Sequence, residues 1–224
     1  TAAAILRRQG VRPPIRVISN GVDLERFHPG APDPADTRRR YGLDRRPVLL
    51  YVGRLDADKQ VDVLLRALHR LDCADLQLAI AGRGREMAAL QSLAAELTLG
   101  RCVVFTGFVP GHDLQPLLAS VDLFAMPGSV ELQSLATLEA MACGRPVLVA
   151  DACALPELVE DGVNGYLFRA GDDRHAAECI ARLLAERQRW PTMGEASIAR
   201  ARRHSLDRTI EQYLGLYEEM MRNT

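Results

Sequence analysis

Six short apolar runs recur along the chain and alternate with longer amphipathic stretches. The runs cover residues 48–52, 76–81, 103–106, 123–126, 146–150 and 166–168. Short, continuous apolar runs bounded by turn residues are typical of strands buried on both faces, and amphipathic stretches of helical period are typical of the helices that cover them. The alternation therefore predicts an α/β fold with a doubly wound, Rossmann-like parallel sheet. Helices are predicted at 61–71, 85–97, 114–119, 135–142, 174–187, 193–204 and 206–221.

Two cationic side chains follow the first predicted strand. Arg54 comes two residues after the strand, and Lys59 comes five positions later, where the next helix begins. Gly53 allows the main chain to turn sharply between the strand and Arg54. Lone cations near a helix start are usually solvated surface charges. At the carboxyl edge of a parallel sheet, however, a guanidinium fork and an ammonium group are suited to a diphosphate.

Two carboxylates flank the turn after the fourth predicted strand. Glu131 lies in the turn and Glu139 lies about a turn and a half into the following helix, eight residues later. Ser134 is a predicted N-cap, and the free amides behind it favour a phosphate. Carboxylates accept hydrogen bonds from paired hydroxyl groups such as those of sugars. Glutamates at this spacing are also common on protein surfaces, but in this context the segment predicts a nucleotide-sugar site.

The same segment carries a family resemblance. Residues 131–147, ELQSLATLEAMACGRPV, resemble the E-x7-E signature of the family-four retaining GT-B glycosyltransferases, whose common form is E-G-F-G-L-x-x-x-E-A-M-A-x-G-x-P-V. The continuation LVADACALPELVEDGVNGYLF is similar to the family's next segment. Upstream, SNGVD at 19–23 and YVGRLDADKQVDVLLRAL at 51–68 match the family in the same order. The resemblance runs from about Val17 to about Phe168 and implies the C-terminal, donor-binding lobe of a GT-B fold.

The resemblance implies a role for each matching residue. The implied catalytic residues are Arg54, Lys59 and Glu131, which act on the leaving diphosphate and the donor sugar without a metal. The residues implied to bind the donor nucleotide are Gly53, Gly82, Thr106, Gly107, Phe108 and Glu139. Those implied to bind the donor sugar and phosphate are Glu131, Leu132, Gln133, Ser134 and Leu135. No cofactor is expected, and the nucleotide sugar is a substrate.

The sequence departs from the family pattern after the first glutamate. Leu132, Gln133 and Ser134 stand where the common form has Gly-Phe-Gly. The variant E-L-Q-S-L resembles the branch that glucosylates diacylglycerol and related lipids, which implies UDP-glucose as donor and a lipid or saccharide acceptor. The chain would then belong to an enzyme that associates peripherally with a membrane.

Other functions remain open at this point. A GDP-mannose-dependent mannosyltransferase and a sugar-nucleotide 2-epimerase share the expected architecture. A glycosidase would use the two glutamates as nucleophile and acid, but it would have no use for phosphate-binding elements. Gly82 and Gly84 lack the third glycine of a G-x-G-x-x-G fingerprint, which argues against NAD. A binding module without turnover is the remaining alternative.

The length of 224 residues accommodates one such lobe. We expect residues 1–16 to be the remnant of an inter-lobe connection, 17–205 to be the donor-binding domain and 206–224 to form a helix that crosses to an N-terminal acceptor lobe absent from this chain. An apolar stripe of Ile210, Tyr213, Leu214 and Tyr217 recurs at helical spacing in this last segment. It should pack either on this domain or on the other lobe.

The overall charge excludes one class of partner. A net charge of −1 gives no basic excess for nucleic acid. No apolar run approaches the ~20 residues that span a bilayer. The five cysteines, at 73, 102, 143, 153 and 179, have no C-x-x-C spacing, so we interpret them as small apolar residues outside any disulfide or zinc site. The expected location is the cytoplasm, including the inner face of the membrane.

Overall fold

The computed structural model describes residues 2–30, 33–72 and 75–222. All six predicted strands are present, and their ends differ from the predicted ones by no more than one residue. They are β1 (Val48–Val52), β2 (Gln77–Ala81), β3 (Val103–Gly107), β4 (Leu123–Met126), β5 (Val147–Asp151) and β6 (Gly165–Arg169). The apolar runs identify them because nearly every residue in β1, β2, β4 and β5 is buried, so neither face of the sheet requires polar side chains.

The six strands form one parallel sheet in the order β3-β2-β1-β4-β5-β6. This is the doubly wound, Rossmann-like arrangement predicted from the sequence. The chain builds outward from β1 to β3 and then returns to the other side of β1 at β4. The order therefore reverses between β1 and β4, and the loops that follow these two strands flank the crevice where ligands bind in such sheets.

Helices account for about half of the remaining described chain. They are α1 (Ala2–Arg8), α2 (Pro34–Arg40), α3 (Val61–Arg70), α4 (Met87–Glu96), α5 (Gly111–Ser120), α6 (Leu135–Ala142), α7 (Asp173–Ala185), α8 (Trp190–Ala201) and α9 (Leu206–Arg222). Helices α3, α4 and α7 pack together, and α2, α5, α6 and α8 form a second packed group. Because the strands between them are buried, the two groups cover opposite faces of the sheet.

Helix α2 has no counterpart among the predicted helices. Its local signals are an N-cap and a proline: the Asp33 carboxylate accepts a hydrogen bond from the amide of Asp36, and Pro34 occupies the first turn. The helix is short, and Thr37 is its only buried residue. Its hydrophobic pattern is therefore weak, and the capping signal alone marks it.

Helix α9 stands apart from the core. It has no buried residue along its 17 positions, and the apolar stripe of Ile210, Tyr213, Leu214 and Tyr217 is exposed. The alternative in which the stripe packs on this domain is therefore wrong. Main-chain hydrogen bonds from Val22 to His204 and from Leu206 to Val22 hold the start of the helix to the domain.

The interpretation of all five cysteines as unpaired is wrong for Cys102, which is disulfide-bonded. Cys143 and Cys179 are free and buried, as expected of small apolar residues, whereas Cys153 is free and exposed. Cys73 lies outside the described residues. The sequence did not reveal the disulfide because pairing depends on which cysteines the fold brings within reach of each other, and not on a short spacing motif.

The helices do not meet the requirements of a membrane span. Across residues 2–30, 33–72 and 75–222, none has both the length and the apolarity needed to cross a bilayer.

Candidate donor site

The loop after β1 places Gly53 and Arg54 at the crevice. The Gly53 amide donates to the carbonyl of Ala81 at 3.0 Å, and the Leu55 amide donates to the carbonyl of Arg83 at 2.9 Å, so β1 and β2 remain paired beyond their ends. The Arg54 side chain is 71% exposed, and its Nη1 lies 2.5 Å from Oδ2 of Asp56. The guanidinium is thus available to an anionic ligand and is held from one side by a carboxylate.

Two glycines make this close pairing possible. A Cβ on Gly82 would lie 1.8 Å from the carbonyl oxygen of Gly53, and one on Gly84 would lie 2.2 Å from that of Leu55. Gly82 also has a φ of +142°, which side chains rarely allow. Gly82 is the glycine that the sequence indicates for the nucleotide site, and the structure gives both glycines a definite physical role: they let two loops approach each other.

These loops surround a cavity of about 260 Å³ at the carboxyl ends of β1 and β2. It is lined by Val52, Gly53, Arg54, Ala81, Gly82, Arg83, Phe108, Val109 and Leu114. Four predicted site residues therefore share this cavity. Thr106 and Gly107 lie beside it rather than in its wall: the Gly107 carbonyl accepts from the Gly82 amide at 2.8 Å, and the Thr106 hydroxyl lies 3.2 Å from the same carbonyl.

Arg83 lines the cavity but is not among the residues predicted from the sequence. Its guanidinium lies 6.0 Å from the ring centroid of Phe108, which is 63% exposed. A cation and an aromatic face are both suited to stacking on a planar base. The sequence feature that could have indicated Arg83 is its position between Gly82 and Gly84, soon after the end of β2.

A larger cavity of about 620 Å³ lies between α3 and α4. Its charged lining is mostly acidic, with Asp56, Asp62, Glu86 and Glu96 against Arg66 alone. Such a lining repels a diphosphate, and neither Lys59 nor Glu131 contributes to it. We therefore place the candidate site at the smaller cavity and the adjoining β4 loop.

Lys59 and Glu131 form an ion pair across the point where the strand order reverses. Lys59 Nζ lies 2.6 Å from Glu131 Oε1, and the two side chains are only 13% and 12% exposed. Asp58 Oδ2 lies 3.3 Å from the same ammonium group. Burial alone would lower the pKa of Lys59, but its hydrogen bonds and charge interactions with Glu131 and Asp58 raise it. The ammonium group is therefore charged, and two loops far apart in sequence meet at it.

Main-chain hydrogen bonds fix the position of Glu131. The Ser129 amide donates to the carbonyl of Asp58 at 3.1 Å, and the Ala154 amide donates to the carbonyl of Glu131 at 3.1 Å. The loop after β4 is thus tied to the loops after β1 and β5. This arrangement brings three strand ends together around Glu131.

Gln133 holds the same loop from another direction. Its Oε1 accepts from the Asn20 amide at 2.7 Å, and its Nε2 donates to the Asn20 carbonyl at 2.6 Å. The side chain is thus bonded to main chain 113 positions away rather than left open to a ligand. Its neighbour Leu132 is 76% exposed, and Leu135, the first residue of α6, is 41% exposed.

Ser134 caps α6 as predicted. Its hydroxyl oxygen accepts from the Thr137 amide at 3.3 Å and from the Thr137 hydroxyl at 2.8 Å. The free amides of the first helical turn and the positive end of the helix dipole begin here, beside Glu131. The sequence located this N-terminus correctly because capping is a local signal.

Glu139 lies in the second turn of α6 and is half-buried. Among the described residues, its carboxylate forms no hydrogen bond and no ion pair. Burial raises its pKa to about 7, and the charge of Arg26 lowers it only in part. A desolvated, unpaired carboxylate is costly unless a ligand supplies donors, and strongly shifted pKa values are frequent at functional sites.

These groups together can bind one extended anionic ligand with hydroxyl groups. Cations and helix amides are suited to its phosphates, and the two glutamates are suited to its hydroxyls. Within the parts of the chain that the structure describes, no group of three or more histidine, cysteine, aspartate or glutamate side chains could hold a metal ion.

The sequence matches a known protein family. Residues 46–186 match the family model described as glycosyl transferases group 1. A GDP-mannose-dependent alpha-(1-6)-phosphatidylinositol monomannoside mannosyltransferase from Mycolicibacterium smegmatis is 38% identical over 185 residues, covering 79% of this chain and 48% of the relative. A D-inositol 3-phosphate glycosyltransferase from Corynebacterium jeikeium is 35% identical over 217 residues, covering 92% and 52%. The chain thus spans about half the length of these relatives.

Solved structures agree with the fold. Sucrose-phosphate synthase from Thermosynechococcus elongatus superposes with a TM-score of 0.89 at 27% identity, covering all of this chain and 57% of that one. HepE from Anabaena, solved in complex with UDP-glucose, superposes with a TM-score of 0.88 at 27% identity, covering 96% and 61%. The six-stranded sheet and its helices therefore match 57% and 61% of these two solved chains.

Proposed function

The chain belongs to the group 1 glycosyltransferases, and from this premise we propose that it binds the nucleotide-sugar donor of a retaining GT-B glycosyltransferase. The observation that carries the proposal is the Lys59–Glu131 pair, 2.6 Å apart at the reversal of strand order. This pair brings a charged ammonium group, which would face a leaving phosphate, next to a carboxylate, which would accept a hydrogen bond from a sugar hydroxyl.

The leaving diphosphate would be met by positive charge from three directions. Arg54 would offer a planar fork of donors and Lys59 a point charge, while the first amides of α6 behind Ser134 would complete the cradle. As the bond to the sugar breaks, negative charge grows on the diphosphate. Preorganised donors at that position stabilise the transition state, and such electrostatic stabilisation is commonly the largest single contribution to catalysis.

The hydroxylated parts of the donor would be held by the two glutamates. Glu139 would accept hydrogen bonds from the ribose, which would give its desolvated carboxylate the donors it lacks in the free protein. Glu131 would hold the donor sugar near its reacting carbon. Because Lys59 already donates a hydrogen bond to Glu131, the group that binds the phosphate and the group that binds the sugar would be linked to each other.

For the donor itself we propose UDP-glucose. The E-L-Q-S-L variant at residues 131–135 supports this choice, and the structural relative HepE has been solved with UDP-glucose. GDP-mannose is the second candidate, favoured by the 38% identical relative named for that donor.

The acceptor would be held outside this chain. We propose that residues 17–205 form the donor domain, that 1–16 belong to the connection between lobes and that 206–224 extend toward the other half of a two-lobed enzyme. A lipid or saccharide acceptor would bind there, and the intact enzyme would then associate peripherally with the cytoplasmic face of a membrane. The diacylglycerol glucosyltransferase-like branch stays a prediction.

Calorimetric titration of this chain with UDP, GDP and ADP tests the proposal. We expect UDP to bind most tightly. A clear preference for GDP would transfer the assignment to a mannosyltransferase, and failure of all three nucleotides to bind would contradict a donor-binding role. The Arg54→Ala variant should lose most of the affinity for any nucleotide that binds, because the diphosphate loses one of its two cations.

A further inference from the structure

Tyr51 lies directly beneath the turn that carries Arg54. It is the fourth residue of β1 and is fully buried. Its hydroxyl donates a hydrogen bond to the main-chain carbonyl of Arg54 at 2.6 Å. A tyrosine in a buried strand usually needs a partner for its hydroxyl, and here that partner is the backbone of a residue that we place at the diphosphate.

The same hydroxyl occupies the space inside the turn. A Cβ added to Gly53 would lie 2.6 Å from Tyr51 Oη. The absence of a side chain at Gly53 therefore leaves room for the Tyr51 hydroxyl group. The hydroxyl group packs against the inner side of the turn. Removing it would leave both a small void and the Arg54 carbonyl without this donor.

The surroundings keep the hydroxyl in its donating form. Burial, followed by the charges of Glu131, Asp58 and Asp56, raises the pKa of Tyr51, while Arg54 opposes the rise. The phenol is thus protonated throughout the physiological range.

Arg54 depends on its main chain for its position. Its side chain is 71% exposed, and within the described residues its side-chain bonding is confined to Asp56. An exposed guanidinium on a long side chain loses much conformational freedom when it binds a phosphate. A fixed starting point for the side chain reduces that loss.

We propose that Tyr51 is a positioning residue of the donor site, whose hydroxyl fixes the Arg54 main chain so that the guanidinium points at the donor diphosphate. This rests on the proposed function. Nothing in it requires Tyr51 to touch the ligand.

A matched pair of variants isolates this effect. Tyr51→Phe removes only the hydroxyl. Tyr166→Phe is the control, because Tyr166 is equally buried, lies on β6 in the same sheet, and donates to Glu186 Oε2 at 2.7 Å. Both variants lose one short hydrogen bond from a buried tyrosine, so a general loss of stability should appear in both.

The first measurement needs no ligand. Hydrogen–deuterium exchange should accelerate in residues 53–59 of Tyr51→Phe and stay at the parental rate there in Tyr166→Phe. Unchanged exchange in this segment of Tyr51→Phe would overturn the proposal. This result is independent of whether the chain binds a nucleotide sugar.

The second measurement is a double-mutant cycle on nucleotide affinity. Tyr51→Phe should weaken UDP by roughly three- to tenfold, the equivalent of one hydrogen bond's net contribution, and should weaken UMP less because UMP lacks the second phosphate. In an Arg54→Ala background, Tyr51→Phe should have no further effect. An equal loss in both backgrounds, or an equal loss in Tyr166→Phe, would overturn the link to Arg54. If the parent binds no nucleotide, the proposed function fails. The hydrogen–deuterium exchange of residues 53–59 then decides by itself whether Tyr51 fixes the main chain of Arg54.

Discussion

Among the individual residues of the site, Glu139 is a carboxylate in an unusually desolvated environment. Burial raises its pKa to about 7, and no described donor compensates for the desolvation. The desolvated Glu139 carboxylate therefore destabilises the free protein, and it favours the binding of a ligand that brings hydroxyl groups. Function at the expense of stability is common at binding sites, and it makes two measurements informative.

Nucleotide affinity should depend on pH through Glu139. Below pH 7 the carboxyl group is mostly protonated and accepts ribose hydrogen bonds poorly, so UDP affinity should rise as pH increases from about 6 to about 8. Calorimetric titration across this range checks the expectation. Because UDP itself titrates near pH ~6, the control is Glu139→Gln, in which only the ligand's own contribution remains. Identical pH profiles for the two proteins would contradict the role of Glu139.

Folding stability should depend on pH in the opposite direction. The pKa of Glu139 is raised from its ordinary value of 4.5 to about 7 in the folded state, so the folded protein holds a proton that the unfolded chain has lost between these values. The associated stability is fully present below pH 4.5 and is lost as pH rises through 7. Glu139→Gln stays neutral, so its Tm relative to the parent should be higher at pH ~8 than at pH ~5. A pH-independent Tm difference would show that Glu139 is solvated.

Substitutions of the two glutamates should have different effects on the affinities for UDP and UDP-glucose. Glu139→Gln should weaken UDP and UDP-glucose alike, by ~1–3 kcal/mol, the range for hydrogen bonds to a charged group. Glu131→Gln should spare UDP and weaken UDP-glucose, because Glu131 is assigned to the sugar. Paired titrations of both variants measure this. Equal losses for both ligands in both variants would refute the division of roles.

At the scale of secondary-structure elements, the loop between β4 and α6 is the least conventional part of the site. Gln133 stands where the common family form has a phenylalanine, which cannot form side-chain hydrogen bonds. The Gln133 side-chain amide forms two hydrogen bonds with the main chain of Asn20. Asn20 belongs to the segment that pairs with the start of α9 through Val22. The donor loop is thus attached to the junction between the domain and its last helix.

Gln133→Ala should therefore loosen the donor loop without unfolding the domain. We expect UDP-glucose to bind several-fold more weakly, with a smaller change for UDP, because the loop carries Glu131. The matched control is Gln115→Ala, since Gln115 also donates its amide to main chain, at His28 and Gly30, but lies outside the site. A similar affinity loss in both variants would mean that general destabilisation is responsible.

At the scale of the whole molecule, α9 is an element without a complete partner. Its apolar stripe is exposed, and the rings of Tyr213 and Tyr217 stack with centroids 6.5 Å apart on that face. An exposed apolar patch of this kind marks an interaction surface. The proposed two-lobed enzyme accounts for it, because the other half would cover the stripe.

The isolated chain should accordingly associate as its concentration increases. Sedimentation velocity should show this for the parent and show its reduction in a variant carrying Tyr213→Glu with Tyr217→Glu. The variant should keep the parental Tm, because neither ring is buried in the domain. A monomeric parent together with an unfolded variant would mean that the stripe is core, contrary to the structure.

The sequence by itself determined the strands, the helix capped by Ser134 and the family. Each of these depends on neighbouring residues: a continuous apolar run produces a buried strand, Ser134 caps the helix that begins next to it, and Gly82 allows a close approach of main chain. Helix α2 escapes prediction because only its cap, and not an apolar face, marks it. The close agreement of the strand ends reflects this local character.

Only the tertiary structure decided which of these residues meet. Lys59 and Glu131 are 72 positions apart, and Gln133 and Asn20 are 113 apart, so no local pattern could pair them. The raised pKa of Glu139 likewise comes from burial by distant segments. The physical reason is that strand order brings the ends of β1 and β4 side by side, and only there do distant charges lose water together and interact strongly.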